Sequence, residues 1–344
     1  METVKTRALY IDYIKALGIC LVILLHCAYY PCDSLFVKGI YSMCVPLFFM
    51  VNGYLMLRKE HSIKDLLRKN LKLIFVLYFW AFIATAQTMC VRGDWANGLT
   101  GGGQILFYNA LTVSLDYCGH LWFLKTLFFL NILNPILYYF IHYNRKAVYY
   151  LIVILFLCTT RFFDIIVGKF YNPLYGWDWY PVLYYVLGYA LLGGKLHTER
   201  IKAWMAGVAV VVLLFLQWGY NWIFLEGPLA QLNSVHEWIP IDNYIWYGYW
   251  SPIIVVATAA VCLMFQKVNW QKNAFWGYVG LYSLPIYLMQ SSIISIVSHV
   301  SIYRDMVDAS STMRVLLPVI ALLVCMGITW ILNTNKYTRW LITI

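Results

Sequence analysis

Ten apolar runs, each long enough or nearly long enough to cross a bilayer, succeed one another along this 344-residue chain. They lie near 10–30, 35–57, 71–91, 120–141, 147–167, 180–194, 203–223, 246–265, 276–299 and 314–334. A helical span needs about 17 to 25 mostly apolar residues. Hydrocarbon offers no partner for backbone N–H and C=O groups, so such runs must satisfy themselves as helices. The sixth run is short, and Pro252 interrupts the eighth. The stretch 104–118 is amphiphilic and is expected to be re-entrant or interfacial. The expected architecture is all-α: a polytopic membrane helical bundle of about ten transmembrane helices.

Composition agrees. The chain is 62% hydrophobic and only 12% charged, where a soluble protein carries roughly a quarter charged residues. Its net charge of +10 would suggest nucleic acid in a soluble chain. Here the charge follows topology instead, and no nucleic-acid partner is expected. Eighteen of the 25 Lys and Arg fall in segments that are cytoplasmic if the N-terminus is inside, six fall opposite, and Lys125 lies within a span. The positive-inside rule therefore puts both termini in the cytoplasm. The first run is too long for a signal core, opens with Asp12 and Lys15, and precedes no small-residue cleavage site, so it is expected to remain as a span. The outer segment 92–119, with Gly101, Gly102 and Gly103, is expected to be flexible. No soluble domain, repeat or low-complexity tail stands out, so residues 1–344 form one domain. Nine cysteines without C-x-x-C pairs indicate neither a metal site nor a disulfide framework. One bridge among Cys32, Cys90 and Cys118 is conceivable.

Four groups of residues carry chemical information. The first run holds Asp12, Lys15 and His26. Lys15 and His26 are eleven residues apart, so on a helix they share a face about 16 Å apart. A titratable imidazole inside a span needs a polar partner or a wet cavity. Lys15, near the inner interface, can meet a phosphate, and His26 can act as a general base. The competing explanation is a snorkelling Lys15 and a His26 that hydrogen-bonds a neighbouring helix. His120 and Trp122 open the fourth span on the outer side, level with His26, where an aromatic belt would also place them. Lys69 and Lys72, at i and i+3, could clamp nucleotide phosphates, although loop charges also serve topology and anionic lipid. The aromatic set Trp177, Trp179, Tyr180, Trp238, Tyr244, Trp246, Tyr247, Tyr249 and Trp250 could stack sugar rings, but interfacial anchoring explains most of it. Glu226, Glu237 and Asp242 make that outer loop acidic, which disfavours a highly anionic polymer there.

Taken in order, these segments resemble the acyltransferase type 3 family of bacterial membrane proteins. Its opening helix carries an acid, a base and, eleven residues on, a His considered catalytic, here Asp12, Lys15 and His26. Lys15 stands where Arg is usual, which keeps the charge but loses bidentate phosphate recognition. The resemblance continues in Pro46–Leu55, with Asn52 in place of a usual Ser, and in Lys69 and Lys72, again Lys for Arg. It extends through His120–Leu124, Tyr185–Tyr189 and Gly280–Gln290, which contains Tyr282 and has Gln290 where His is common.

The resemblance implies an integral protein of the bacterial inner membrane. Such a protein transfers an acyl group, most often acetyl, from acyl-CoA to a hydroxyl of a cell-envelope polysaccharide or related glycan. It implies catalytic roles for His26 and His120, and donor binding by Asp12, Lys15, Lys69 and Lys72. A substrate pocket would involve Asn52, Trp122, Tyr282 and Gln290. Acetyl-CoA is then a donor substrate, no cofactor is bound permanently, and the partners are acyl-CoA, the acceptor and membrane lipid. No Cys or Ser stands out as a nucleophile, which favours direct transfer over an acyl-enzyme. A transporter or exporter of a small solute or glycan, or a non-catalytic relative, are the alternative readings.

Overall fold

The computed structural model describes residues 8–27, 35–94, 98–160, 179–223, 248–309 and 316–343. Among them every regular element is a helix. The first are α1 (Leu9–His26), α2 (Leu35–Tyr41), α3 (Cys44–Leu57), α4 (Ile63–Arg92), α5 (Gly98–Thr112), α6 (Leu115–Cys118) and α7 (Trp122–Tyr143). Then come α8 (Arg145–Thr159), α9 (Tyr180–Leu192), α10 (Ala203–Asn221), α11 (Pro252–Lys267) and α12 (Ala274–Leu281). The last are α13 (Ser283–His299), α14 (Ser301–Ala309), α15 (Leu316–Thr334) and α16 (Lys336–Leu341).

Local chemistry sets several of these limits. The Ser62 hydroxyl accepts the Asp65 N–H at 3.1 Å and so caps the start of α4. Gly93 ends the helix with a φ of 75°, a conformation that costs glycine nothing. Each of the ten expected runs contains a helix, but their lengths differ. Among the described residues five qualify as spans by length and composition: Leu9–His26, Phe36–Leu57, Ile63–Arg92, Leu115–Tyr143 and Leu316–Thr334. A sixth results if α12 and α13, interrupted at Tyr282, are one span. The apolar helices α8 to α11 are shorter among the described residues. Pro252 does not interrupt the eighth run; it begins α11, in the first helical turn, where a missing N–H is harmless.

The expected flexible loop before the fourth span is corrected too. Gly101, Gly102 and Gly103 lie inside α5, although each glycine costs a helix about 1 kcal/mol. Docking on α4 and a cap from Lys125 offset that cost. The Lys125 ammonium donates to the carbonyls of Thr112 at 3.2 Å and Val113 at 3.3 Å. It thereby places a cation at the negative end of α5 and holds Val113 at a φ of 48°, a conformation that β-branched residues avoid.

The chain divides into two compact units. The first comprises Met1–Leu21, Pro31–Glu60 and Ile136–Gly280. Its centre is α9, which is apolar all round and buried over all its residues, as a helix without a polar face must be. Two glycines let α3 and α9 touch backbone to backbone. A Cβ on Gly53 would fall 1.8 Å from the Tyr185 carbonyl oxygen, and one on Gly188 would fall 2.0 Å from that of Met50. Small residues at such contacts are how membrane helices gain packing energy without a hydrophobic drive. Around α9 stand α3, α8 and α11, and α10 packs on α11 and α2.

The second unit comprises Val22–Tyr30, His61–Pro135 and Leu281–Ile344. There α13 packs on α15 and α4, and α5 on α4. The Asn131 amide donates to the Asn70 side-chain oxygen at 2.9 Å, and both residues are buried. α15 exposes Val319, Leu323, Trp330 and Ile331, an apolar face suited to hydrocarbon. The molecule is a helical membrane protein.

Candidate active site

In the first unit, Lys15 Nζ lies 3.3 Å from the Asp12 carboxylate, one helical turn back, with both side chains largely covered. A buried pair of this kind is costly to break, because one charge is then stranded. Gly280 seats against the same turn, since a Cβ there would lie 2.0 Å from the Asp12 carbonyl oxygen. Asn52, on α3, is half-buried. Between Asp12 and Lys15, Tyr13 points elsewhere. Its hydroxyl donates to the Gln271 carbonyl at 2.6 Å and accepts the Asn273 N–H at 2.9 Å.

The second unit holds both sequence-predicted imidazoles. His26 Nδ1 is 2.9 Å from the Val22 carbonyl one turn back. A carbonyl only accepts, so Nδ1 carries the proton of the neutral ring and Nε2 keeps its lone pair. His120 sits in a 3-10 turn, Gly119–Leu121, just before α7. Its Nε2 makes a long, 3.4 Å bond to the Leu288 carbonyl, which leaves Nδ1 as its acceptor. The two rings lie within electrostatic reach of each other.

Tyr287 completes this corner. Its hydroxyl donates to the His120 carbonyl, and its ring meets those of His120 and Phe123 at centroid separations of 6.2 and 5.4 Å. It therefore fixes the backbone that presents the second imidazole. Sequence reasoning did not single it out, although it lies inside the Gly280–Gln290 segment.

Trp122 is half-buried, its ring edge-on to Phe123 at 6.5 Å. Tyr282 lies at the break between α12 and α13, where its hydroxyl accepts the Asn333 amide at 2.7 Å. Gln290 is fully buried, and neither polar atom of its carboxamide has a hydrogen-bond partner among the described residues. Such an orphan is rare in folded proteins and marks a place where water or a ligand belongs.

The basic pair Lys69 and Lys72 lies on the first turns of α4. Lys72 reaches the chain's end: it donates to the Thr343 hydroxyl at 3.0 Å and lies 5.5 Å from the Trp340 ring centroid. Of the aromatic set, Tyr180 meets Tyr249 at 5.7 Å and Trp250 at 6.3 Å, and Trp179 immediately precedes α9. Trp177, Trp238, Tyr244, Trp246 and Tyr247, with Glu226, Glu237 and Asp242, lie outside the described residues. Cys90 and Cys118 are free thiols, and Cys32 is outside the described residues.

The model of the acyltransferase 3 family, described as an acyltransferase domain, matches residues 8–334. The chain belongs to this acyltransferase family. No curated protein and no solved structure matches it. The match covers nearly the whole chain, so the acyltransferase domain takes in both compact units, with Asp12, Lys15, His26 and His120 inside it.

Proposed function

We propose that this acyltransferase is a membrane-bound O-acyltransferase of the bacterial inner membrane. It moves an acetyl group from acetyl-CoA to a hydroxyl of a cell-envelope polysaccharide or related glycan. The observation that carries the reading is the contact of His26 Nδ1 with the Val22 carbonyl: in a neutral ring held that way the basic nitrogen is Nε2. In the reaction, Nε2 takes the proton of the acceptor hydroxyl as that oxygen attacks the thioester carbonyl carbon. The C–S bond breaks, CoA leaves as thiolate, and the imidazolium returns the proton to it. The products are the ester and free CoA.

The remaining roles follow from chemistry. His120 Nδ1 accepts a hydrogen bond that orients the acceptor, and Trp122 shapes its surroundings. Asn52, Tyr282 and Gln290 offer polar atoms to the substrates, Gln290 from a buried carboxamide that lacks a partner. Asp12 holds Lys15 as a cation for a donor phosphate. Lys69 and Lys72 offer positive charge to donor phosphates.

Purified protein in vesicles, given labelled acetyl-CoA and an envelope glycan fraction, is expected to release CoA and label the glycan. His26→Ala should lower the rate about 100- to 10,000-fold, the usual worth of a general base. Wild-type rates in that variant would refute the assignment. Movement of glycan or solute without CoA release would favour a carrier.

A further inference from the structure

A cavity opens on a different face of α1. Tyr13, Ala16, Leu17 and Cys20 recur at i, i+3, i+4 and i+7 and form its floor. That stripe lies roughly 120° round the helix from Asp12 and Lys15, so the cavity is separate from the polar face. Its opposite wall is the end of α11, the connection to α12 and the first turn of α12: Phe265, Trp270, Gln271, Lys272, Asn273 and Trp276. The volume is about 490 Å³, within the range of small-molecule sites.

The wall is fixed in place. Tyr13 ties down Gln271 and Asn273 through its hydroxyl. The Trp270 ring packs on Tyr13 at 4.8 Å and on Phe265 at 4.9 Å, while its indole N–H donates to the Phe265 carbonyl at 2.7 Å. Asn273 caps α12 by accepting the Trp276 N–H at 3.1 Å. What stays open is a half-exposed indole on Trp276, the exposed Lys272 and the carboxamide of Gln271. No described acidic side chain lines the cavity.

We infer that this cavity binds the adenine nucleotide end of the acyl donor. An indole offers a stacking face to any base, a Gln carboxamide can pair with both the amino group and the ring nitrogen of adenine, and Lys272 meets phosphate. A quaternary ammonium group could also stack on the indole, but the Lys272 cation would repel it. The positive-inside pattern assigns Lys267 and Lys272 to the cytoplasm, where CoA thioesters are found. The inference rests on acyl-CoA being the donor, and its test separates the two.

Adenosine 3′,5′-bisphosphate binding to the full detergent-solubilised chain is measured by calorimetry. Trp276→Ala and Lys272→Ala are each expected to weaken it about tenfold or more. Both positions are exposed, and circular dichroism checks the fold of each variant. The same variants should lower the preference for acetyl-CoA over S-acetylpantetheine, which lacks the nucleotide. Bisphosphate binding that is absent, or equal in wild type and variants, would overturn the proposal, as would a cavity that takes up only anionic lipid. Variant-sensitive bisphosphate binding with no turnover of either thioester would sink the acyl-CoA reading while leaving the nucleotide site standing.

Discussion

Replacing Gly188 by Ala tests how the central helix of the first unit is held. The added methyl would lie 2.0 Å from the Met50 carbonyl oxygen, 2.4 Å from its Cα and 2.5 Å from its carbonyl carbon. All three are backbone atoms, so no side chain can swing aside. Ordinary contact begins at 3.4 Å, so α3 and α9 must part locally by about 1.4 Å (3.4 less 2.0). Overpacking typically costs about 1–3 kcal/mol, and an unyielding backbone puts this site at the top of that range, about 3 kcal/mol. Gly53→Ala, at 1.8 Å from the Tyr185 carbonyl oxygen, should cost as much. The double variant should cost clearly less than the sum, because helices already parted by one methyl accept the second. Gly327→Ala is the control: nothing lies within 4 Å of its Cβ position, and removing a helical glycine should stabilise by up to about 1 kcal/mol. Unfolding in mixed micelles, followed by circular dichroism, reads all four. Full additivity, or a Gly188→Ala protein as stable as wild type, would refute the backbone-contact argument.

Other outcomes follow from single side chains. Lys125→Met removes two hydrogen bonds from the end of α5 and should destabilise by about 1–3 kcal/mol, with faster amide exchange confined to the last turn of α5 and α6. Gln290→Leu exchanges an unsatisfied buried carboxamide for an apolar group and should raise stability by about 1–3 kcal/mol. It should also lower glycan labelling at least about tenfold if the amide holds substrate, and unchanged labelling would remove it from the site. Lys72→Met should expose the α16 segment to proteolysis, since it loses both the Thr343 and Trp340 contacts. A change confined to proteolysis, with the KM for acetyl-CoA unaltered, would leave Lys72 a structural residue only.

Helix content was legible in the apolar runs because hydrocarbon admits few alternatives; α1 and α15 coincide closely with expectation, while α4 begins at Ile63, eight residues before its apolar run 71–91. The family was legible in the order of short motifs. What hydropathy could not supply were features set by partners distant in sequence. α5 contains three consecutive glycines and owes its end to Lys125, a residue that looks merely misplaced in a span. The glycines of Val51-Asn52-Gly53 and Leu187-Gly188 read as motif letters, yet their cause is a helix-to-helix contact that no local pattern encodes. At the candidate site, His26 and His120 could be picked out because imidazoles are rare in spans. Tyr287 could not, since its partner is a backbone carbonyl far away in the chain. Tyr13 was hidden between two charged neighbours on another face of the same helix.

The hydrogen bond between the Asn131 and Asn70 carboxamides bears on how the second unit avoids misassembly. As an adhesive it is modest, since interhelical hydrogen bonds in membranes average about 0.6 kcal/mol. As a key it matters more: slipping α7 past α4 by one turn, about 5.4 Å, would leave two carboxamides facing hydrocarbon at several kcal/mol apiece. The pair therefore selects one alignment chiefly by making every other expensive.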